Sequence, residues 1–200
     1  MINPRNIHCL ALNYKGVGSL TQTPLYFVKS LSAYCNEGAE VPYPKDVESM
    51  WTEVELTIII GKEGTNIPVE AAFDYVAGYT VGADITCQNI HQRDHHLGFS
   101  KSRYNFCPVL NKVFSISKED LPSLELITKI NGKVTQHGYM SDINYGVAES
   151  ISYISKITKL EKGDIILTGT PDGVENNIVK PGDKVEHSIS GVGNLSFNII

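Results

Sequence analysis

The sequence predicts a mainly β fold with short helices, arranged as a sandwich or barrel-like roll. Three observations carry that expectation. β-branched, apolar runs of strand length recur along the chain, helical periodicity is confined to a few short stretches, and no alternating βαβ rhythm or GxGxxG turn is present. In chain order, the strand segments are Leu25–Lys29, Glu53–Ile60, Tyr75–Ile85, Leu124–Ile130, Lys133–Tyr139, Ile165–Thr168, Val185–Ile189 and Leu195–Ile199. Asn131-Gly132 joins two of them as a two-residue hairpin, because both residues tolerate positive φ. Pro181-Gly182-Asp183 and Gly191–Asn194 read as further turns. Helices are expected over Pro68–Tyr75, with proline in the first turn, over Gln88–His96, and over Ala148–Ile157, where apolar residues fall at helical spacing.

Two hundred residues at 42% hydrophobic content suit one domain, residues 1–200, with a substantial core. A net charge of −5 supplies no basic surface for nucleic acid or anionic lipid. The apolar runs fall short of the roughly 20 residues that cross a bilayer, and the start of the chain lacks a signal-peptide pattern. Four scattered cysteines, Cys9, Cys35, Cys87 and Cys107, form no CxxC pair and read as free thiols. Together these features lead us to expect a cytoplasmic protein with small-molecule rather than nucleic-acid or membrane partners.

The chemistry concentrates in Trp51-Thr-Glu-Val-Glu-Leu-Thr-Ile-Ile-Ile-Gly61. In a strand, Glu53 and Glu55 share a face with their Cα atoms roughly 7 Å apart. Beside a buried strand the two carboxylates repel, and a hard cation, a basic partner or protonation would relieve them. The same alternation also describes an exposed strand face with both glutamates in water.

Further motifs resemble the fumarylacetoacetate hydrolase family, specifically its small single-domain members related to acylpyruvate hydrolases. The matching stretches are Asn13-Tyr14, Pro24-Leu-Tyr-Phe-Val-Lys29, Glu53-Val-Glu55-Leu, Val76-Ala-Gly-Tyr-Thr-Val-Gly-Ala-Asp84-Ile-Thr and Phe99-Ser-Lys101-Ser. They continue through Cys107-Pro108, Asn131-Gly132, Gln136, Gly163-Asp-Ile-Ile-Leu-Thr-Gly-Thr170-Pro171-Asp-Gly-Val and Pro181-Gly182-Asp183, spanning almost the whole chain.

The resemblance implies the family's β-sandwich roll and a homodimer. It implies that Glu53, Glu55 and Asp84 hold one divalent cation, Mg²⁺ first with Mn²⁺ or Ca²⁺ as alternatives, which suits an all-oxygen donor set. It further makes Lys101 the active-site lysine that steadies charge on an enolate, and Thr170 a residue that binds the substrate carboxylate. Taken alone, Asp84 reads as a turn or helix-cap acid, Lys101 as a surface lysine, and Thr170 as part of a strand-ending turn. Lys29 matches an early-strand lysine whose role is left open.

The chain also departs from the pattern. Hydrolytic members carry His and Glu in NYxxHxxE on a lid, a pair that activates water; Val17 and Leu20 occupy those places here. Residues 1–23 form a shortened N-terminal or lid segment, and Gly16 and Gly18 argue against an ordered lid helix. After Asp84, Gln88 and Asn89 replace an arginine and an aspartate, His91 replaces a substrate-contacting glutamine, and Tyr104 stands at a usual aspartate. His91 reads either as a proton carrier facing the site or as a surface residue, whereas His95 and His96 read as surface loop. The resemblance thus implies a divalent-metal enzyme acting on a small 2-oxo or 1,3-dioxo acid. C–C bond hydrolysis comes first. Oxaloacetate decarboxylation, keto–enol tautomerisation and a catalytically impaired metal-binding member are the alternatives.

Overall fold

A computed structural model describes residues 2–17, 23–89 and 92–200. Two β-sheets pack face to face. The larger has seven strands in the order β2-β1-β10-β5-β6-β7-β3, and the smaller has five in the order β4-β12-β11-β8-β9. In the first sheet, β1 is Ile7–Ala11, β2 Leu25–Lys29, β3 Tyr34–Asn36, β5 Met50–Ile60, β6 Val76–Cys87, β7 Cys107–Val109 and β10 Ile165–Leu167. In the second, β4 is Glu40–Val41, β8 Glu125–Ile130, β9 Lys133–Tyr139, β11 Lys184–Ile189 and β12 Gly193–Ile199. The mainly β class holds, and every strand expected from sequence forms, with ends shifted by at most a few residues. Short β1, β3, β4 and β7 were not foreseen. β1, β3 and β4 each pair in parallel with a strand distant in sequence, so partners rather than local pattern define them.

β5 and β6 form the long antiparallel pair at the centre of the larger sheet, buried along almost their whole length. Their cores come from the Ile58–Ile60 run and from Val81, Ala83 and Ile85. The Asn131-Gly132 hairpin forms with φ of 51° and 80°, the double positive turn that matches strand twist.

Helices are few among the described residues. α1 covers Gly98–Lys101 and α2 Val147–Ile157, the latter close to expectation. Pro68–Tyr75 becomes a 3-10 helix over Val69–Tyr75, with Pro68 extended ahead of it rather than in the first turn. No α-helix forms in the described residues of Gln88–His96, where Gln92 alone is in 3-10 conformation; Ile90 and His91 lie outside the described residues. Asn89 donates from Nδ2 to the Asp94 carbonyl (3.2 Å) and accepts from the Asp94 N–H at Oδ1 (3.0 Å). Such side-chain to backbone bonds compete with helix formation. Asp94 Oδ2 in turn accepts from the N–H and hydroxyl of Ser100, both at 2.6 Å, and so fixes α1. No helix among the described residues is long and apolar enough to cross a membrane.

Candidate metal centre and active site

Strand register brings the three predicted carboxylates together. Glu53 lies directly opposite Asp84 in the β5–β6 ladder, and Glu55 follows two residues on, on the same face. One ligand oxygen from each lies within 4.8 Å of the others. All three residues are buried, which excludes the solvated-strand reading of the glutamates. Asp84 sits well inside β6, not in a turn or cap.

Each carboxylate is held by named donors. Glu53 Oε1 accepts from Trp51 Nε1 (2.9 Å), Thr86 Oγ1 (2.9 Å) and Lys101 Nζ (3.1 Å). Asp84 Oδ2 accepts from Lys101 Nζ at 2.6 Å, while its Oδ1 pairs with Lys29 Nζ. Glu55 Oε2 accepts the backbone N–H of Gly169. Gly169 adopts φ of 92°, and a Cβ there would meet the Leu10 carbonyl and Asn13 Cβ at 3.0 and 3.1 Å, so this close approach needs glycine. Asn13 pins the same loop, donating to the Thr168 carbonyl (2.8 Å) and the Tyr145 carbonyl (3.0 Å). The Asn13-Tyr14 motif thus acts structurally, with the Tyr14 hydroxyl on Met140 Sδ.

Lys101, on α1, is buried rather than exposed; it also donates to Thr86 Oγ1 (2.8 Å) and lies 5.3 Å from the Phe27 ring centroid. Sequence reasoning left Lys29 without a role, and the structure makes it a second buried ammonium on Asp84, donating to the Ile85 carbonyl as well (3.2 Å). The roles of Trp51, Thr86 and Gly169 as donors to the carboxylates were not foreseen, because a tryptophan, threonine or glycine carries no such signal until the register is known.

The electrostatics follow from burial and charge count. Burial raises the Glu55 pKa well above its usual value, and the charges of Asp84 and Glu53 push the same way. Burial also opposes ionisation of Asp84, but the ammonium groups of Lys101 and Lys29 outweigh it and hold the pKa low. For Lys101, burial favours the neutral amine, yet Asp84 and Glu53 prevail and raise its pKa. Without a cation the raised pKa of Glu55 favours its neutral form. With all three carboxylates ionised, as a bound cation would require of them, the two ammonium groups leave one net negative charge in the cluster. A divalent cation would reverse it to one net positive charge, which a substrate carboxylate could match. The donor set, all oxygen and converging within 4.8 Å, fits a hard divalent ion.

Glu53, alone of the three carboxylates, lines a cavity of about 310 Å³ together with Lys101, Thr170 and Trp51 and an apolar wall that includes Leu12, Val17, Leu25, Leu97 and Val174. The Thr170 side chain reaches it from the turn after β10, and Asn89 lines it too. Of the departures from the family pattern, Gln88 and Tyr104 are exposed, as are His95 and His96. His91 and Leu20 lie outside the described residues.

The fold and the buried carboxylate–lysine cluster define a β-rich domain built around one acidic centre. Residues 6–200 match the family model for the fumarylacetoacetate (FAA) hydrolase C-terminal domain. The chain is 38% identical to mouse oxaloacetate tautomerase FAHD1, a mitochondrial protein, over 207 residues covering 98% of this chain and 91% of that one. Its fold matches 5-carboxymethyl-2-hydroxymuconate delta-isomerase from Mycobacterium smegmatis with a TM-score of 0.90 at 27% identity, covering 100% of this chain and 80% of that one. It matches fumarylpyruvate hydrolase from Pseudomonas aeruginosa, in complex with Mn²⁺ and pyruvate, with a TM-score of 0.89 at 28% identity, covering 100% and 91%. This chain belongs to the fumarylacetoacetate hydrolase family.

Proposed function

We propose that the protein is a divalent-cation-dependent keto–enol tautomerase of small 2-oxo acids, with oxaloacetate the first substrate to test. One observation carries the choice of reaction. Val17, at the position where hydrolytic relatives carry the water-activating histidine, presents an apolar side chain to the cavity. Among the described lining residues the only carboxylate is Glu53, whose Oε1 is committed to three donors, and none is a histidine. Tautomerisation needs no activated water, because a C3–H bond breaks, the proton ends on the C2 oxygen, and no C–C bond is cleaved. The mouse tautomerase likeness supports the same reading.

Glu53, Glu55 and Asp84 would hold the cation, Mg²⁺ by expectation and Mn²⁺ by the Pseudomonas likeness. Once bound, it would supply Lewis-acid polarisation of the 2-oxo group and positive charge for the substrate carboxylate. Lys101 would place its ammonium beside the oxygen that gains negative charge, and burial strengthens that interaction. The hydroxyl of Thr170 would bind the carboxylate, and the apolar wall would exclude bulk water. His91 is the proposed proton carrier.

The test follows the ultraviolet absorbance of enol-oxaloacetate with metal-stripped and Mg²⁺-reloaded protein, alongside an acylpyruvate whose β-diketone chromophore is lost on hydrolysis. The expected result is fast enol–keto conversion only with metal, and little acylpyruvate loss. Acylpyruvate turnover near ~10 s⁻¹, with oxaloacetate interconverting no faster than in free Mg²⁺, would replace this reading with hydrolysis.

A further inference from the structure

We infer that Gln136 is a positioning residue of the site, holding Thr170 so that its hydroxyl proton is reserved for a carboxylate in the cavity. The inference rests on the reading above only in taking a carboxylate as the ligand. It begins from a carbonyl, which can only accept. Gln136 approaches the Pro171 carbonyl at 2.7 Å, so the atom facing it must be Nε2, and this fixes the orientation of the amide. The second Nε2 proton has Thr170 Oγ1 at 3.1 Å and the Asp172 carbonyl farther off at 3.4 Å, and since the amide nitrogen can only donate, the threonine oxygen is an acceptor toward it. Among the described residues no protein group receives the Thr170 hydroxyl proton, and the side chain lines the cavity.

The far end of the amide is fixed as well. Oε1 of Gln136 accepts from Asn177 Nδ2 (2.8 Å) and from Thr128 Oγ1 (3.1 Å). Thr128 has thereby spent its only proton, so it must accept from His187 Nδ1 at 3.0 Å. Neutral His187 is then protonated on Nδ1, and its bare Nε2 accepts from Thr52 Oγ1 at 2.7 Å. Every bond in the row Thr52–His187–Thr128–Gln136–Thr170 therefore runs in one direction, toward the cavity. The strand register builds this row, since His187 pairs with Thr128 across β11 and β8, and Thr128 with Gln136 across β8 and β9. β9 also presses on the same turn through Gly138, where Pro171 leaves no room for a Cβ.

The experiment is a double-mutant cycle read by calorimetric titration of the Mg²⁺-loaded protein with oxalate, whose adjacent carboxylates mimic a 2-oxo acid without turning over. Thr170→Val should weaken oxalate by about 10- to 100-fold, the span of one hydrogen bond to a charged group. Gln136→Met should weaken it to a similar extent. The double variant should be no worse than Thr170→Val alone, because Gln136 acts through that hydroxyl. Gln136→Glu, close in shape but able to take the Thr170 proton itself, should lose affinity as Gln136→Met does; it also serves the cycle if the methionine variant does not fold. A Mg²⁺-induced rise in melting temperature equal to wild type checks that the metal centre is intact.

Additive losses, or wild-type affinity in a Gln136 variant, would overturn the inference, as would unchanged affinity in Thr170→Val. Thr170-dependent oxalate binding by a protein that fails to convert oxaloacetate would instead overturn the proposed reaction and leave the positioning role standing.

Discussion

His187 makes a quantitative prediction about acid stability. Its ring is fully buried between the two sheets, bonded to Thr52 and Thr128, and burial lowers its pKa from 6.5 to about 3. The unfolded chain takes up a proton on this side chain below about pH 6.5, while the folded chain refuses it until about pH 3. Stability is therefore unaffected by this group above pH 6.5, declines as the pH falls from there, and levels off below about pH 3. Integrating the linkage from neutrality to pH 5 gives a loss of about 2 kcal/mol. That figure barely changes if the folded-state value moves by a unit, because at pH 5 the native ring remains neutral either way. The perturbation is His187→Gln, which can donate to Thr128 and accept from Thr52 but does not titrate. Urea unfolding of both proteins at pH 7.5 and pH 5 measures the difference. Wild type should lose about 2 kcal/mol more than the variant on acidification. Equal losses would refute both the neutral buried ring and the one-way hydrogen-bond row built on it.

Metal binding should stabilise the folded state: Mg²⁺ at 100 times its dissociation constant contributes about 2.7 kcal/mol. That corresponds to a melting temperature roughly 5–10 °C above the EDTA-treated protein, and identical melts, with no metal found by elemental analysis, would count against the centre. Asp84→Ala should abolish that rise. Lys101→Ala should lower kcat on oxaloacetate by about 10²–10³-fold while the Mg²⁺-dependent melting shift persists, since the carboxylates remain; wild-type turnover would remove Lys101 from the chemistry. His91→Ala should slow enol–keto conversion, and an unchanged rate would dismiss it as the proton carrier. The homodimer expected from the family resemblance is tested by sedimentation, where migration at the mass of one 22.0 kDa chain would contradict it.

Much of this centre was legible in the sequence because β periodicity places Glu53 and Glu55 on one face without knowledge of any partner strand. Asp84 needed the family resemblance, since nothing local says that β6 pairs with β5 in the register that sets it opposite Glu53. Lys29 shows the limit more sharply. Its strand was foreseen residue for residue, yet its role depends on an ion pair with a residue 55 positions away. The misplaced helix after Asp84 failed for a different reason. The Asn89 side chain satisfies both backbone groups of Asp94, and that loop competition outweighed the intrinsic helix preference in the described residues of Gln88–His96.

The site also shows how one buried cluster can serve neighbouring reactions. The parts proposed to hold and polarise a 2-oxo acid, namely the carboxylates, Lys101 and the Thr170 turn, sit on β5, β6, α1 and the loop after β10. The part that decides whether water attacks belongs, by resemblance, to the segment after Asn13-Tyr14, of which Lys15–Val17 lie outside the strands. Loss of a general base there costs hydrolysis about 10²–10⁴-fold but leaves the polarising groups untouched. On the proposed function, Val17 in place of histidine would remove one reaction without dismantling the other. The converse gives a further test: Val17→His should not restore acylpyruvate hydrolysis on its own, because Leu20 replaces the glutamate that would orient the new imidazole. Val17→His with Leu20→Glu should raise it, and a pair of substitutions that leaves hydrolysis unchanged would show that more than the dyad separates this chain from its hydrolytic relatives.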